Sequence, residues 1–114
     1  MQLKKILYVS LLCLLFVGCA EPLASDKLNY AGHWMSADSS INLTITPEGR
    51  VEYEKILPGK STSLSAPIKS FDGDSFTAGV GPLSTEFKVT QAPHQDAQGN
   101  WFIVVDGHIL SKRS

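Results

Sequence analysis

Ile41-Asn42-Leu43-Thr44-Ile45-Thr46-Pro47-Glu48-Gly49-Arg50-Val51-Glu52-Tyr53-Glu54 is the stretch that decides the fold class. Ile41, Leu43 and Ile45 alternate with Asn42, Thr44 and Thr46, and Val51 and Tyr53 alternate with Arg50, Glu52 and Glu54. A period of two puts the apolar members of each run on one face of a strand and the polar members on the other. Between the runs, Pro47 fixes φ and Gly49 supplies the positive φ that a tight reversal needs. The unit is an antiparallel hairpin with one greasy and one wet face.

The same grammar continues in both directions. Reversals are signalled at Leu57-Pro58-Gly59-Lys60, Asp72-Gly73, Gly79-Val80-Gly81-Pro82, Ala97-Gln98-Gly99-Asn100 and Asp106-Gly107. Strand-like segments lie near 33–37, 40–46, 50–56, 62–71, 75–80, 84–91, 101–105 and 108–112, and no stretch after Tyr30 keeps a helical spacing. Eight short strands joined by short turns predict an all-β fold, a small antiparallel eight-stranded meander barrel. A barrel of that size is filled by side chains, and closure removes exposed strand edges. Trp34, Tyr53, Phe71, Phe76, Phe87, Trp101 and Phe102 are the expected filling. Trp101 to Val105 is apolar at every position, as a strand packed on both faces would be, or one facing a partner; Lys60 to Ser65 reads as a loop or an edge strand.

Residues 1–18 read as a secretory signal: Lys4 and Lys5, an apolar run from Ile6 to Val17, then Gly18. The run is too short to span a bilayer. Phe16-Val17-Gly18-Cys19 resembles the lipobox of bacterial lipoproteins, with Phe in place of the usual Leu. The resemblance implies cleavage before Cys19 and a diacylglyceryl group on its sulfur; acyl chains hold a protein on a membrane at about 0.8 kcal/mol per buried methylene. Ala20, by the same resemblance, implies sorting to the outer membrane of a Gram-negative cell, with the domain on the periplasmic face. Residues 19–29, polar and with Pro22, read as a lipidated tether, and 30–114 as the β-barrel domain. Cys13 leaves with the leader and Cys19 carries lipid, so no disulfide is expected.

Loss of Lys4 and Lys5 takes the 10 basic residues to 8 against 11 acids, a formal charge of −3. That balance excludes a nucleic-acid surface, which needs clustered surplus Lys and Arg. Gly32-His33-Trp34 and the closing Lys112-Arg113 resemble the closed end of lipocalin-like barrels. There a Gly-x-Trp on the first strand plugs the base and a late basic residue packs over the indole. The resemblance implies Gly32 and Trp34 as the plug with Arg113, or failing that Lys112, as its cap.

The remaining chemical motifs are thin. His94-x-Asp96 sits in a loop far in sequence from His33 and His108, so no metal or other cofactor is expected. Asp72-Gly73-Asp74 opens like a calcium loop, but Phe76 and Leu83 stand where ligands would be needed, and a turn explains it. Glu52 and Glu54 share the wet face of the hairpin, about 7 Å apart, and read as solvated rather than catalytic. Pro82 denies Gly79–Ser84 the run of N–H donors of a phosphate loop. No Gly-x-Ser-x-Gly or Ser-x-x-Lys is present. The expectation is a non-enzymatic binding module, anchored through Cys19, that meets an envelope protein, a glycan or a small apolar ligand. The alternatives are a lysozyme inhibitor, since lysozyme-inhibitor lipoproteins are similar in size, anchor and barrel form, and a small apolar-ligand carrier of lipocalin type.

Overall fold

The computed structural model describes residues 20–113; residues 1–18, expected as a leader, and Cys19 lie outside them. A 3₁₀ helix, Ser25–Tyr30, precedes nine strands: β1 Gly32–Ser36, β2 Ile41–Ile45, β3 Arg50–Leu57, β4 Lys60–Asp72, β5 Ser75–Val80, β6 Leu83–Phe87, β7 Val89–Gln95, β8 Trp101–Val105 and β9 His108–Arg113. All pairings are antiparallel, in the order β6-β5-β4-β3-β2-β1-β9-β8-β7. The result is a curled half-barrel of lipocalin-like form, all-β as the alternation predicts.

The deciding hairpin forms in the expected register, with Ile45 opposite Val51 and Leu43 opposite Tyr53. Its reversal is tied by the Gly49 N–H to the Thr46 carbonyl and the Arg50 N–H to the Thr46 hydroxyl, 2.9 and 3.0 Å. Along β2 the apolar residues are buried and Asn42 and Thr44 are not. The Ser-rich stretch is part of β4, a 13-residue strand whose first half pairs with β3 and whose second half pairs with β5. The change of partner falls between Pro67 and Ile68, followed by a register shift before Ser70. Proline suits such a corner because no ladder donor is needed from it.

Nine strands rather than eight arise at Lys88. The expected strand 84–91 is present, longer than predicted, but one residue divides it. Residues 83–87 pair with β5 and residues 89–95 pair with β8, so one continuous run of chain supplies both edges of the sheet. At the crossing the Lys88 N–H donates to Asp106 Oδ1 (3.0 Å), the Asp106 N–H donates to the Lys88 carbonyl (2.7 Å), and the Val89 N–H donates to Ser75 Oγ (3.0 Å). The curl closes at this seam. Among the described residues β6 and β7 do not pair side by side, so the ladder itself stays open.

Inside the curl Trp34, Leu43, Val51, Ile103 and Leu110 are fully buried, and Phe76 and Phe87 are 1% exposed. Burying each such side chain contributes about 1.5–3 kcal/mol. Phe76 stacks on Phe87 at 5.0 Å, and Phe87 meets Tyr53 edge-on at 5.2 Å, which joins the β5–β6 layer to β3. Trp101 and Phe71 pack at the margin. Alternation reappears in β8, where Ile103 and Val105 are buried and Phe102 and Val104 are only partly buried, on the outer face. The expectation of full two-sided packing is therefore corrected.

Asp106 holds the seam from a left-handed backbone at φ 50°, a conformation that Asn tolerates and Ala does not. Asp106→Ala is expected to cost about 1–2 kcal/mol in urea unfolding, from a lost hydrogen bond plus backbone strain. Asp106→Asn should stay within about 0.5 kcal/mol of the native chain. Equal losses in both would show that the seam contacts contribute little.

Candidate functional site

Trp34 is at 0% exposure, its indole N–H donating to the Tyr30 carbonyl at 2.9 Å. The cation over it is Lys112, not Arg113. Lys112 is directly opposite Trp34 in the β1–β9 ladder, and Arg113 is opposite His33. Side chains opposite one another share a face, so Lys112 turns inward with the indole and Arg113 turns outward. The Lys112 ammonium lies 4.9 Å from the Trp34 ring and 5.0 Å from the Trp101 ring, held between two indoles, with the Asn29 carbonyl at 3.3 Å.

Gly32 is what lets the lysine stem lie there. A Cβ on residue 32 would come within 2.9 Å of Lys112 Cε, and its φ of 144° disfavours any side chain. Burial lowers the pKa of Lys112, and the two ring faces offset part of that cost.

The segment expected as a tether is built into this end instead. The Leu23 N–H donates to the Pro47 carbonyl at 2.9 Å, and the Lys27 ammonium donates to the Gly73 carbonyl at 2.9 Å. Tyr30, which sequence reading placed only at the domain boundary, is 3% exposed and packs edge-on against Phe71 and Phe76. Its hydroxyl donates to the Asp74 carbonyl at 2.8 Å. Burial, then the charges of Asp74 and Asp26, push its pKa up to about 12.

A second feature lies on the outer face. Two cross-strand rows, Asn42–Glu54–Ser63 and Thr44–Glu52–Ser65, border a depression of about 430 Å³ over β2, β3 and β4. Ser65 donates to Glu52 at 2.9 Å, and Arg50 reaches the Ser65 hydroxyl at 3.4 Å. The two glutamates therefore sit on the wet face, as their parity predicts, among hydroxyl and amide groups. Such a surface offers hydrogen bonds over an area rather than one reactive point.

The other candidates are consumed locally. Asp96 accepts the N–H groups of Gln98 and Asn100, which lower its pKa, the Asn100 N–H foremost. His94 Nδ1 donates to the Ala92 carbonyl, and its ring lies 6.4 Å from Phe102. His33 is within 3.3 Å of Asn42 Oδ1. Asp72-Gly73-Asp74 turns the chain between β4 and β5. Among the described residues no three His, Cys, Asp or Glu side chains converge. Comparison of the chain with protein-family models, curated proteins and solved structures gives no match.

Two expectations test the plugged end. Lys112→Met keeps the stem and removes the charge, and should cost about 1 kcal/mol; Arg113→Ala should change urea stability by under about 0.5 kcal/mol. The reverse ranking would restore Arg113 as the cap. Because the folded state holds the Tyr30 proton more tightly than an unfolded chain titrating near pH 10, the associated stability is complete below that pH and is lost as pH rises through about 12. Stability measured across this window should fall less steeply in Tyr30→Phe than in the native chain, and equal slopes would contradict the assignment.

Proposed function

We propose that the protein is a non-enzymatic binding module, anchored to the outer membrane by lipid on Cys19, that engages an envelope protein or glycan through the outer face of β2–β4. The observation that carries this reading is the filled interior. Trp34, Leu43, Ile103 and Leu110 occupy the space an apolar ligand would need, each with no exposed surface. A lipocalin-type carrier requires an apolar cavity that buries most of its ligand, and these side chains argue against that alternative. The depression is mixed and open: hydroxyls, an amide and two carboxylates are spread over three strands alongside Tyr53 and Leu64, matched to a partner that brings its own donors.

Glu52 and Glu54 contribute as acceptors. Neither lies in an apolar pocket of the kind that readies a carboxyl for acid catalysis, and Ser65 already donates to Glu52. A net formal charge of −3 on the mature chain, by the Cys19 reading, favours a neutral or basic partner surface.

The test is a photo-crosslinking amino acid placed at Ser63 in cells that make the full chain, with Thr77 on the outer face of β5 as the control position. A discrete adduct from Ser63, absent from Thr77 and lost when Glu52→Gln and Glu54→Gln are combined, is the expected result. Stoichiometric uptake of a fluorescent fatty acid by the purified domain would overturn the reading in favour of a carrier. Turnover of an envelope glycan that disappears in the same Gln variants would overturn it in favour of an enzyme.

A further inference from the structure

We infer that this domain has no free tether: residues 20–30 are docked along the plugged end, so a lipid on Cys19 holds that end against the bilayer headgroups and orients the whole barrel. The inference rests on the reading of Cys19 as the lipid-bearing residue and deepens it by naming the membrane-facing surface. Its basis is a set of contacts that begins at the first described residues.

A Cβ on Gly49 would lie 3.6 Å from the Ala20 Cβ and 2.0 Å from the Glu21 carbonyl oxygen. The chain thus touches the β2–β3 turn immediately after position 19, and only a glycine at position 49, with φ 91°, permits the approach. The Leu23 N–H then bonds to Pro47, Leu23 packs on the core, and Lys27 and Tyr30 bond to the β4–β5 turn at Gly73 and Asp74. Trp34 closes the series by donating to Tyr30. Contacts spread along residues 20–30 leave no slack for the domain to swing.

One peptide unit, about 3.8 Å, separates the Cys19 Cα from that of Ala20. The acyl chains therefore enter the membrane beside the β2–β3 turn, which brings Glu48 and the neighbouring Asp72–Asp74 turn to headgroup level. The turns at the far ends of β1 and β3, around Ser39 and Pro58, are held away from the surface. The eight residues of β3 alone account for about 25 Å of that separation. A nine-residue flexible linker would instead let the domain tumble and present every face in turn.

The consequence is a fixed presentation. The depression bordered by Thr44, Glu52 and Ser65 meets the periplasm side-on, with its strands rising from the bilayer.

The native protein offers a clean probe, because Cys19 is its only cysteine after leader removal and lipid blocks it. Glu48→Cys and Lys60→Cys are made in the full chain, isolated in mature form, spin-labelled and reconstituted in vesicles that carry a nickel-chelating lipid. Relaxation enhancement several-fold greater at position 48 than at position 60 is expected, and equal enhancement at both would overturn the docked arm. Inserting about ten Gly and Ser residues between Cys19 and Ala20 should abolish the difference. A difference that survives the insertion would also overturn the inference, since the domain surface and not the arm would then be setting the orientation. Mass spectrometry of the Cys19 peptide reports lipidation separately. An unmodified Cys19 refutes the anchor itself, whereas a diacylated Cys19 with equal enhancements refutes only the orientation.

Discussion

The fold depends on residues 83–95 serving two neighbours at once. A meander that curls without closing leaves an unpaired edge at each side, and unpaired edges invite association with other chains. Here a single run pairs with β5 before Lys88 and with β8 after it. Both edges are therefore consecutive pieces of one strand, and the contacts of Asp106 and Ser75 at the crossing pin the two layers together. β4 makes the complementary move at the opposite corner, leaving β3 for β5 around Pro67. Two strands that change partners convert a twisted ribbon into an enclosure, and Phe76, Phe87 and Tyr53 fill the space they create.

With the seam in place, one end still needs a stopper, and the chain provides it from its own N-terminal arm. Tyr30 accepts the Trp34 indole N–H at its carbonyl and donates its hydroxyl to the Asp74 carbonyl, and the Lys112 ammonium lies between the Trp34 and Trp101 rings. No disulfide assists this arrangement among the described residues, so its stability rests on burial and hydrogen bonding. At the other end, Asp38 performs a similar service on the surface. It gathers Ser40 and Ser36, whose hydrogen bonds hold its carboxyl at a pKa of about 2 and fix the β1–β2 turn.

Most of the strand plan was legible because alternation and turn chemistry are local signals. Ile41–Tyr53 carries both, and its register followed directly. What sequence could not show was where strands change partners, since a long strand that bends between two layers keeps the same period of two on each side of the bend. Lys88 carries no breaker signature and therefore gave no warning. Parity alone could not settle the cap: whether Lys112 or Arg113 shares the face of Trp34 depends on the β1–β9 register, which chain position does not supply. Tyr30 was missed because the signal for docking it lies in Phe71, Phe76 and Asp74, more than 40 residues away. The expected leader and Cys19 lie outside the described residues, so that reading has its motif alone behind it, and the polar outer face was visible in the polar half of the hairpin pattern.

Native-state hydrogen exchange at the amides of Lys88, Val89 and Asp106 tests the seam most directly. Protection approaching that of the central strands, lost only with global unfolding, is what a strand shared between two edges requires. Exchange at these three amides as fast as at the exposed outer half of β6, with the central strands still protected, would mean that the curl is open in solution and that residues 83–95 do not join its two sides.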